Sequence, residues 1–402
     1  MNILVVSQMY YPDNFRINEI TQQMAADGHN VTVLTGLPDY TTSRIPKEYR
    51  FFRRRRETVA GVKVVRVPTV ARRSGILFRV MNYVSFVVNG WLYAKCSRLK
   101  PDVIYSYETS PVLQVIPAVA FQKRRRVPLV IYCCDIWPEC LKVWGVSESS
   151  PLFRFMKRVS RDLFNAADRV AITSEPFEEY LTTVNEVPRE KLVLMPQHAE
   201  DLYREVAGVY EENGVTDFMF AGNIGAAQDV ENIVRAAALL KEQATAPWHI
   251  HMVGDGSARA GCEQLAAELG VSEQITFHGK FPPEELLSFY KLADAFLLTL
   301  TDSVVGASTL PSKWQGYVSA GKPIAVSCNG ISAAITETVD CGLAVPAGDS
   351  EGLARIMNAM INDPDRRRQQ GENGRRYYDA HCTKEKFMSD LYALFEEVTD
   401  RG

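Results

Sequence analysis

Short apolar runs alternate with helical periodicities along the whole chain. In the first half they read ILVVS (3–7), VTVLT (31–35), VKVVRV (62–67), DVIYS (102–106), LVIYC (129–133) and RVAIT (169–173). In the second half they read DFMFAG (217–222), WHIHMVG (248–254), ITFHG (275–279), AFLLTL (295–300) and PIAVS (323–327). Runs of this length, bounded by turn residues and interleaved with helices, predict parallel strands covered on both faces. The first helix is predicted from Asn14 as cap, with Ile17, Ile20 and Met24 as its apolar stripe and an end near Gly28. A second short helix is predicted within STLPSKWQGYVSAGKP (308–323). Ser308 or Thr309 would cap it, Pro311 and Lys313 would lie in its first turn, and Gly321 would stop it.

The patterning is weakest over 196–214, which predicts a boundary there. Two doubly wound, Rossmann-like α/β domains are expected, over 1–198 and 199–382, facing a cleft at the strands' carboxyl ends. The amphipathic segment 383–402 reads either as a packing helix or as a helix returning to the first domain. With 402 residues, 46% of them hydrophobic, the chain can build more than one core. A net charge of −3 gives no overall basic field to recruit nucleic acid. Eight scattered cysteines in a chain this long suggest a reducing cytoplasm, and MNILVVSQMYYP reads as a first strand rather than a signal segment.

Glycines follow the second-half strands in FAGNIGAAQD and VGDGSARAG, where a backbone could approach a phosphate or a base closely. The dinucleotide fingerprint fails, because Arg259 stands where its third glycine belongs, and no Walker pattern occurs. His249 and His251 share a strand face without a third ligand near in sequence, so no metal site and no cofactor is expected. Lys313, free helix N–H groups and the helix dipole would converge on one spot, which suits a phosphate.

An ordered series of segments resembles the retaining glycosyltransferases of family 4, with the two-domain GT-B architecture. It runs ILVVSQMYYPD, KPDVIY (100–105), CDIWPE (134–139), RVAITSE (169–175), LVLMPQHAEDLY (192–203), FAGNIG (220–225), MVGDG (252–256), TLPSKWQGYVSAGKPIAV (309–326) and CGLAVPAGD (341–349). The resemblance implies a nucleoside-diphosphate sugar, with UDP as nucleotide, held by Gly222, Asn223, Gly225, Gln228, Gly254, Asp255, Ser308, Thr309, Leu310, Pro311 and the catalytic Lys313. The family's two glutamates ahead of its G-x-P would fall on Ser308 and Gly316, and neither position is acidic.

On the acceptor side, Asp135 at a strand end can orient a hydroxyl, and Trp137 beside it can pack on a sugar face, although helix capping and core packing explain them too. Asp13, Asn14, Arg16, Glu139 and His198 complete the expected acceptor contacts, with Glu200 a further residue near the donor sugar. Residues 76–94 carry one charge, Arg79, but Asn82, Ser85 and Asn89 dilute the run, which predicts a buried or interfacial helix rather than a span. With Arg53–Arg56 and Arg72–Arg73 nearby it suggests a face for an anionic inner-membrane surface, as a lipid-linked saccharide acceptor in O-antigen or other surface-polysaccharide synthesis would need. The resemblance extends to transferases of the N-acetyl-L-fucosamine type. A UDP-sugar epimerase of the same fold and a non-catalytic sugar-nucleotide binder are the competing expectations.

Overall fold

The structure, a computed structural model, describes residues 1–51, 53–73, 75–210 and 213–400. Phe52 of the arginine run, Glu211 and Glu212 of the expected boundary, and Arg401–Gly402 of the final segment lie outside the described residues. The chain divides into two compact units, one of residues 1–195 and 388–402, the other of residues 196–387.

The first unit holds β1 (Asn2–Val6), β2 (Asn30–Thr35), β3 (Arg56–Val59), β4 (Val62–Arg66), β5 (Val103–Glu108), β6 (Leu129–Cys133), β7 (Arg169–Ile172) and β8 (Leu192–Leu194). They form an 8-stranded sheet in the order β3-β4-β2-β1-β5-β6-β7-β8. Every pairing is parallel except β3 with β4. β3 was hidden from periodicity by its composition, Arg-Glu-Thr-Val. A tight turn at Ala60 and Gly61, both at positive φ, folds it back onto β4. The Arg66 guanidinium then grips the Glu57 carboxylate at 2.6 Å across the pair.

The second unit holds β9 (Thr216–Ala221), β10 (Trp248–Val253), β11 (Ile275–Gly279), β12 (Ala295–Thr299), β13 (Ile324–Ser327) and β14 (Gly342–Val345). Their order is β11-β10-β9-β12-β13-β14, all parallel. The expected pair of doubly wound α/β domains is therefore what the chain forms. In such sheets the crevice for a ligand opens where strand order reverses, at the carboxyl ends of β1 and β5 and of β9 and β12.

Two helix starts differ from expectation. Helix α1 runs Arg16–Ala26 with Phe15 at its N-cap and no side-chain cap, and Asn14 is exposed outside it. Its stripe of Ile17, Ile20 and Met24 is fully buried, so packing rather than capping fixes the helix. The segment after β12 forms two helices, Val304–Ser308 and Ser312–Ser319, so Ser308 and Thr309 end one helix instead of starting the next. Gly321, at φ +66, follows the second of these as a left-handed stop.

Helix α2 (Ile76–Cys96) turns Asn82, Phe86, Gly90 and Ala94 inward. A Cβ at Gly90 would stand 2.6 Å from Pro117, so close helix packing requires the glycine. The opposite face exposes Ile76, Leu77, Val80, Val84, Val88 and Trp91. Among the described residues no helix is long and apolar enough to cross a membrane. The closing helix Lys384–Asp400 enters the first unit from Met388 onward. There Tyr392 donates to Asp27 at 2.6 Å, Arg169 pairs with Glu397, and Phe395 packs on Tyr105.

Candidate functional site

A pocket of about 560 Å³ opens in the second unit at the carboxyl ends of β9 and β10. That is an ordinary size for a small-molecule site. It gathers Gly222, Asn223, Gln228, Gly254, Asp255, Pro311 and Lys313, seven of the residues expected on the donor side. Gly225, Ser308, Thr309 and Leu310 are not among its lining residues.

One wall is the start of helix Ser312–Ser319, and its placement is rigid. Tyr317 on that helix donates to the Ala221 carbonyl and accepts from the Ala221 N–H, at 3.1 and 3.0 Å. Its ring stacks on Phe296 of β12, with centroids 4.0 Å apart. Trp314, buried, donates to Thr336 at 2.9 Å. These contacts bolt the helix to β9 and aim its N-terminus at the turn after the strand. Lys313 leaves the first turn, crosses the face of Phe220 at 4.1 Å, and donates to the Gln228 side-chain oxygen. Among the described residues no carboxylate lies within ion-pair distance of it. Burial lowers its pKa from 10.5 to about 7. An ammonium with a neutral hydrogen-bond partner and no counter-ion is a site waiting for an anion.

The glycine turns have a second explanation beside ligand approach. Gly254, at φ +146, lies so close to the β9 turn that a Cβ there would fall 1.7 Å from the Gly222 carbonyl oxygen. A Cβ at Gly256 would meet Ile224 O at 2.2 Å. The two turns are joined backbone to backbone by Gly222 N–H to Val253 O and Ile224 N–H to Asp255 O. These glycines let two loops cross, and the crossed loops form the pocket floor.

The pocket also contains residues that local pattern did not single out. Tyr203 and Tyr290 stack with centroids 4.2 Å apart, facing Gly316. Lys280, Phe281 and Leu286 close another side. Glu200 lines the pocket, whereas His198 is fully buried beside Phe387 and lines none of the pockets described. The expectation that His198 reaches a substrate is thus corrected.

In the first unit, Asp135 follows β6 and accepts the Ser110 backbone N–H at 2.7 Å. It does not cap the next helix, Glu139–Trp144, whose N-cap is Pro138. Burial raises the Asp135 pKa, opposed by the Ser110 contacts. Glu108, at the end of neighbouring β5, is fully buried, and among the described residues neither side-chain oxygen has a hydrogen-bond partner in good geometry. Burial first, and then Asp135, push its pKa well above the carboxylate range, so it is held neutral. The remaining acceptor-side expectations change. Trp137 is buried with its indole donating to Ser110 at 3.2 Å, so its ring offers no stacking platform. Glu139 is buried and held by Tyr180 and Lys142. Arg16 pairs within its helix with Glu19, and Asp13 accepts the Tyr40 and Thr41 N–H groups, fixing a loop.

Nor are His249 and His251 alone, since His278 of β11 reaches His251 at 2.9 Å while Asp217 takes its other nitrogen at 3.0 Å. With both His251 nitrogens engaged, the trio is a side-chain network. Among the described residues no group of three or more His, Cys, Asp or Glu side chains could hold a metal ion.

Comparison with known proteins bears on this geometry. The HepE protein of Anabaena, solved in complex with UDP, superposes with a TM-score of 0.71 at 15% identity over 99% of this chain and 100% of its own. That likeness shows the fold: two parallel-sheet α/β domains of the GT-B class. Residues 14–198 match the glycosyl transferase 4-like domain, and residues 205–377 match the glycosyl transferases group 1. The chain belongs to the GT-B glycosyltransferases. Among its relatives, the probable glycosyltransferase WbjE of Pseudomonas aeruginosa is 28% identical over 64% of this chain and 66% of its own length. The putative colanic acid biosynthesis glycosyl transferase WcaI of Escherichia coli is 25% identical over 80% and 82%.

The crossed loops make a direct prediction about Gly254. Gly254→Ala should destabilise the second unit by more than about 2 kcal/mol, because positive φ and a backbone collision both oppose the Cβ. Urea unfolding measures it, and a loss within about 0.5 kcal/mol would show that the loops do not cross as described.

Proposed function

We propose that the protein transfers a sugar from a UDP-sugar, bound by the second unit, to a lipid-linked saccharide acceptor in surface-polysaccharide synthesis. The observation that carries this reading is Lys313, with no counter-ion among the described residues, at a helix N-terminus in the pocket of the second unit. A diphosphate is the anion that suits it, because the helix N–H groups and the ammonium together match its two phosphates. The HepE complex with UDP supports uridine as the nucleotide. The WcaI name, colanic acid biosynthesis, supports polysaccharide assembly as the setting.

In the transfer, the bond from the sugar's anomeric carbon to the diphosphate oxygen breaks, and the acceptor hydroxyl oxygen takes its place. Negative charge grows on the departing UDP. Lys313 and the N–H groups of the first helical turn stabilise that charge, so this chain's own residues perform the compensation. Asp135 orients the acceptor hydroxyl, its basicity raised by burial. The sugar keeps its anomeric configuration in this reading, and the hydroxyl proton passes to the departing phosphate or to Asp135.

The lipid carrier of the acceptor explains the outward face of α2. Its exposed side runs from Ile76 and Leu77 through Val84 to Trp91, and Arg79 crosses to Trp144 at 5.4 Å. Val143, Leu152 and Phe155 add further exposed apolar surface, and the arginines at 53–56 and 72–73 supply positive charge for anionic headgroups. In this reading the protein works at the inner face of the inner membrane.

Three outcomes are expected. Lys313→Ala should weaken UDP binding by about 1–3 kcal/mol in calorimetry, and unchanged affinity in a folded variant would remove Lys313 from the site. Asp135→Asn should keep the fold and UDP affinity while acceptor-dependent turnover drops about 10²–10⁴-fold. The amide can still accept from Ser110, so near-normal turnover would leave Asp135 a loop clamp only. Changing Arg53–Arg56 to serine should reduce binding to liposomes containing anionic lipid and leave UDP affinity alone. Equal liposome binding by the two proteins would return the arginines to a solvated hairpin.

A further inference from the structure

The pocket of the second unit has two carboxylates among its lining residues, Glu200 and Asp255. Asp255 turns back on its own loop, accepting the Gly256 N–H at 2.8 Å. Glu200 also lines the pocket, immediately before the short helix Asp201–Val206 that carries Tyr203. Burial first, then Tyr203 and Tyr317, and then Glu200 raise the Tyr290 pKa, and Glu200, Tyr203 and Tyr290 line the same pocket.

The Tyr203–Tyr290 stack meets the helix Ser312–Ser319 at Gly316. A Cβ on Gly316 would touch Tyr203 and the Tyr290 hydroxyl, both at 3.5 Å, and a longer side chain would run into the rings. The helix itself therefore presents no polar group at this point. Gly316 lies one turn beyond Ser312 and Lys313 on the same helix face, about 5 Å along the axis. A nucleoside diphosphate whose phosphates sit at Lys313 has its ribose at about that distance, and a ribose brings a pair of adjacent hydroxyls that need acceptors. A carboxylate accepts two such hydrogen bonds at once.

We propose that Glu200 is the ribose-recognising residue of this pocket, its carboxylate accepting hydrogen bonds from the 2′- and 3′-hydroxyls across the opening left by Gly316. The inference rests on the reading of the pocket as a nucleotide site. It adds that selection for a ribonucleotide comes from the segment preceding the second unit's first strand. The Tyr203–Tyr290 stack holds that segment in place, so the tyrosines are positioning residues and Glu200 makes the contact.

The test is calorimetry of the full chain and of Glu200→Gln, each with UDP and with 2′,3′-dideoxy-UDP. The wild-type chain should bind UDP at least about tenfold more tightly than the dideoxy analogue, the worth of hydrogen bonds to a charged group. Glu200→Gln should lose most of that preference through weaker UDP binding, with affinity for the dideoxy analogue unchanged. A variant that keeps the full preference overturns the assignment. So does an equal loss of both ligands, which would mean that Glu200 only shapes the pocket. Absence of UDP binding by the wild-type chain would instead overturn the nucleotide reading itself, and this inference with it.

Discussion

The pocket of the second unit is arranged around one buried lysine that has no counter-ion among the described residues. Lys313 is brought to the pocket wall by a helix that cannot move, because Tyr317 is tied to both polar groups of Ala221 and Trp314 to Thr336. The ammonium rests on the Phe220 ring and finds a side-chain amide instead of a carboxylate. Holding a lysine in this way costs stability below its unfolded pKa of 10.5, since its folded pKa is about 7 and the unfolded chain takes the proton more readily. Such a cost persists in a site when a ligand repays it, and a diphosphate does so while also accepting from the helix N–H groups.

The first unit follows a related logic with the opposite charge. Glu108 and Asp135 end neighbouring parallel strands, and both carboxyls are raised by burial. Like charges this close do not both ionise readily, so the deeper group keeps its proton and Asp135 carries the charge. Asp135 then has one firm hydrogen bond, from Ser110, and raised basicity for a hydroxyl. Around the pair, the thiols of Cys133, Cys134 and Cys140 are raised by burial too, and thus stay neutral.

Much of this was legible in the chain because the information was local. Strand runs such as LVIYC and DVIYS are apolar on both faces, and Gly321 marks a helix end by its own backbone freedom. Lys313, Gln228, Gly222 and Gly254 line one pocket, as the family resemblance implies, each carried by a motif contiguous in the chain. What escaped depends on contacts distant in sequence. β3 is polar and exists only because the Ala60–Gly61 turn pairs it with β4. The three-histidine network needs β10 beside β11, and the Tyr203–Tyr290 stack joins segments far apart in the chain. Trp137 and Glu139 are expected as acceptor contacts from their place after a strand's carboxyl end, yet tertiary packing buries both, which for Trp137 is the core-packing alternative.

The central claim is that Lys313 waits partly deprotonated for a diphosphate. Titrating UDP into the protein at pH 8, in two buffers of different ionisation enthalpy, measures the protons exchanged on binding. Above about pH 7 the terminal phosphate of UDP is already ionised, which leaves the lysine as the group that must gain charge. The account predicts uptake of close to one proton, falling towards none in Lys313→Ala. Binding of UDP with no proton uptake by the wild-type chain would contradict it.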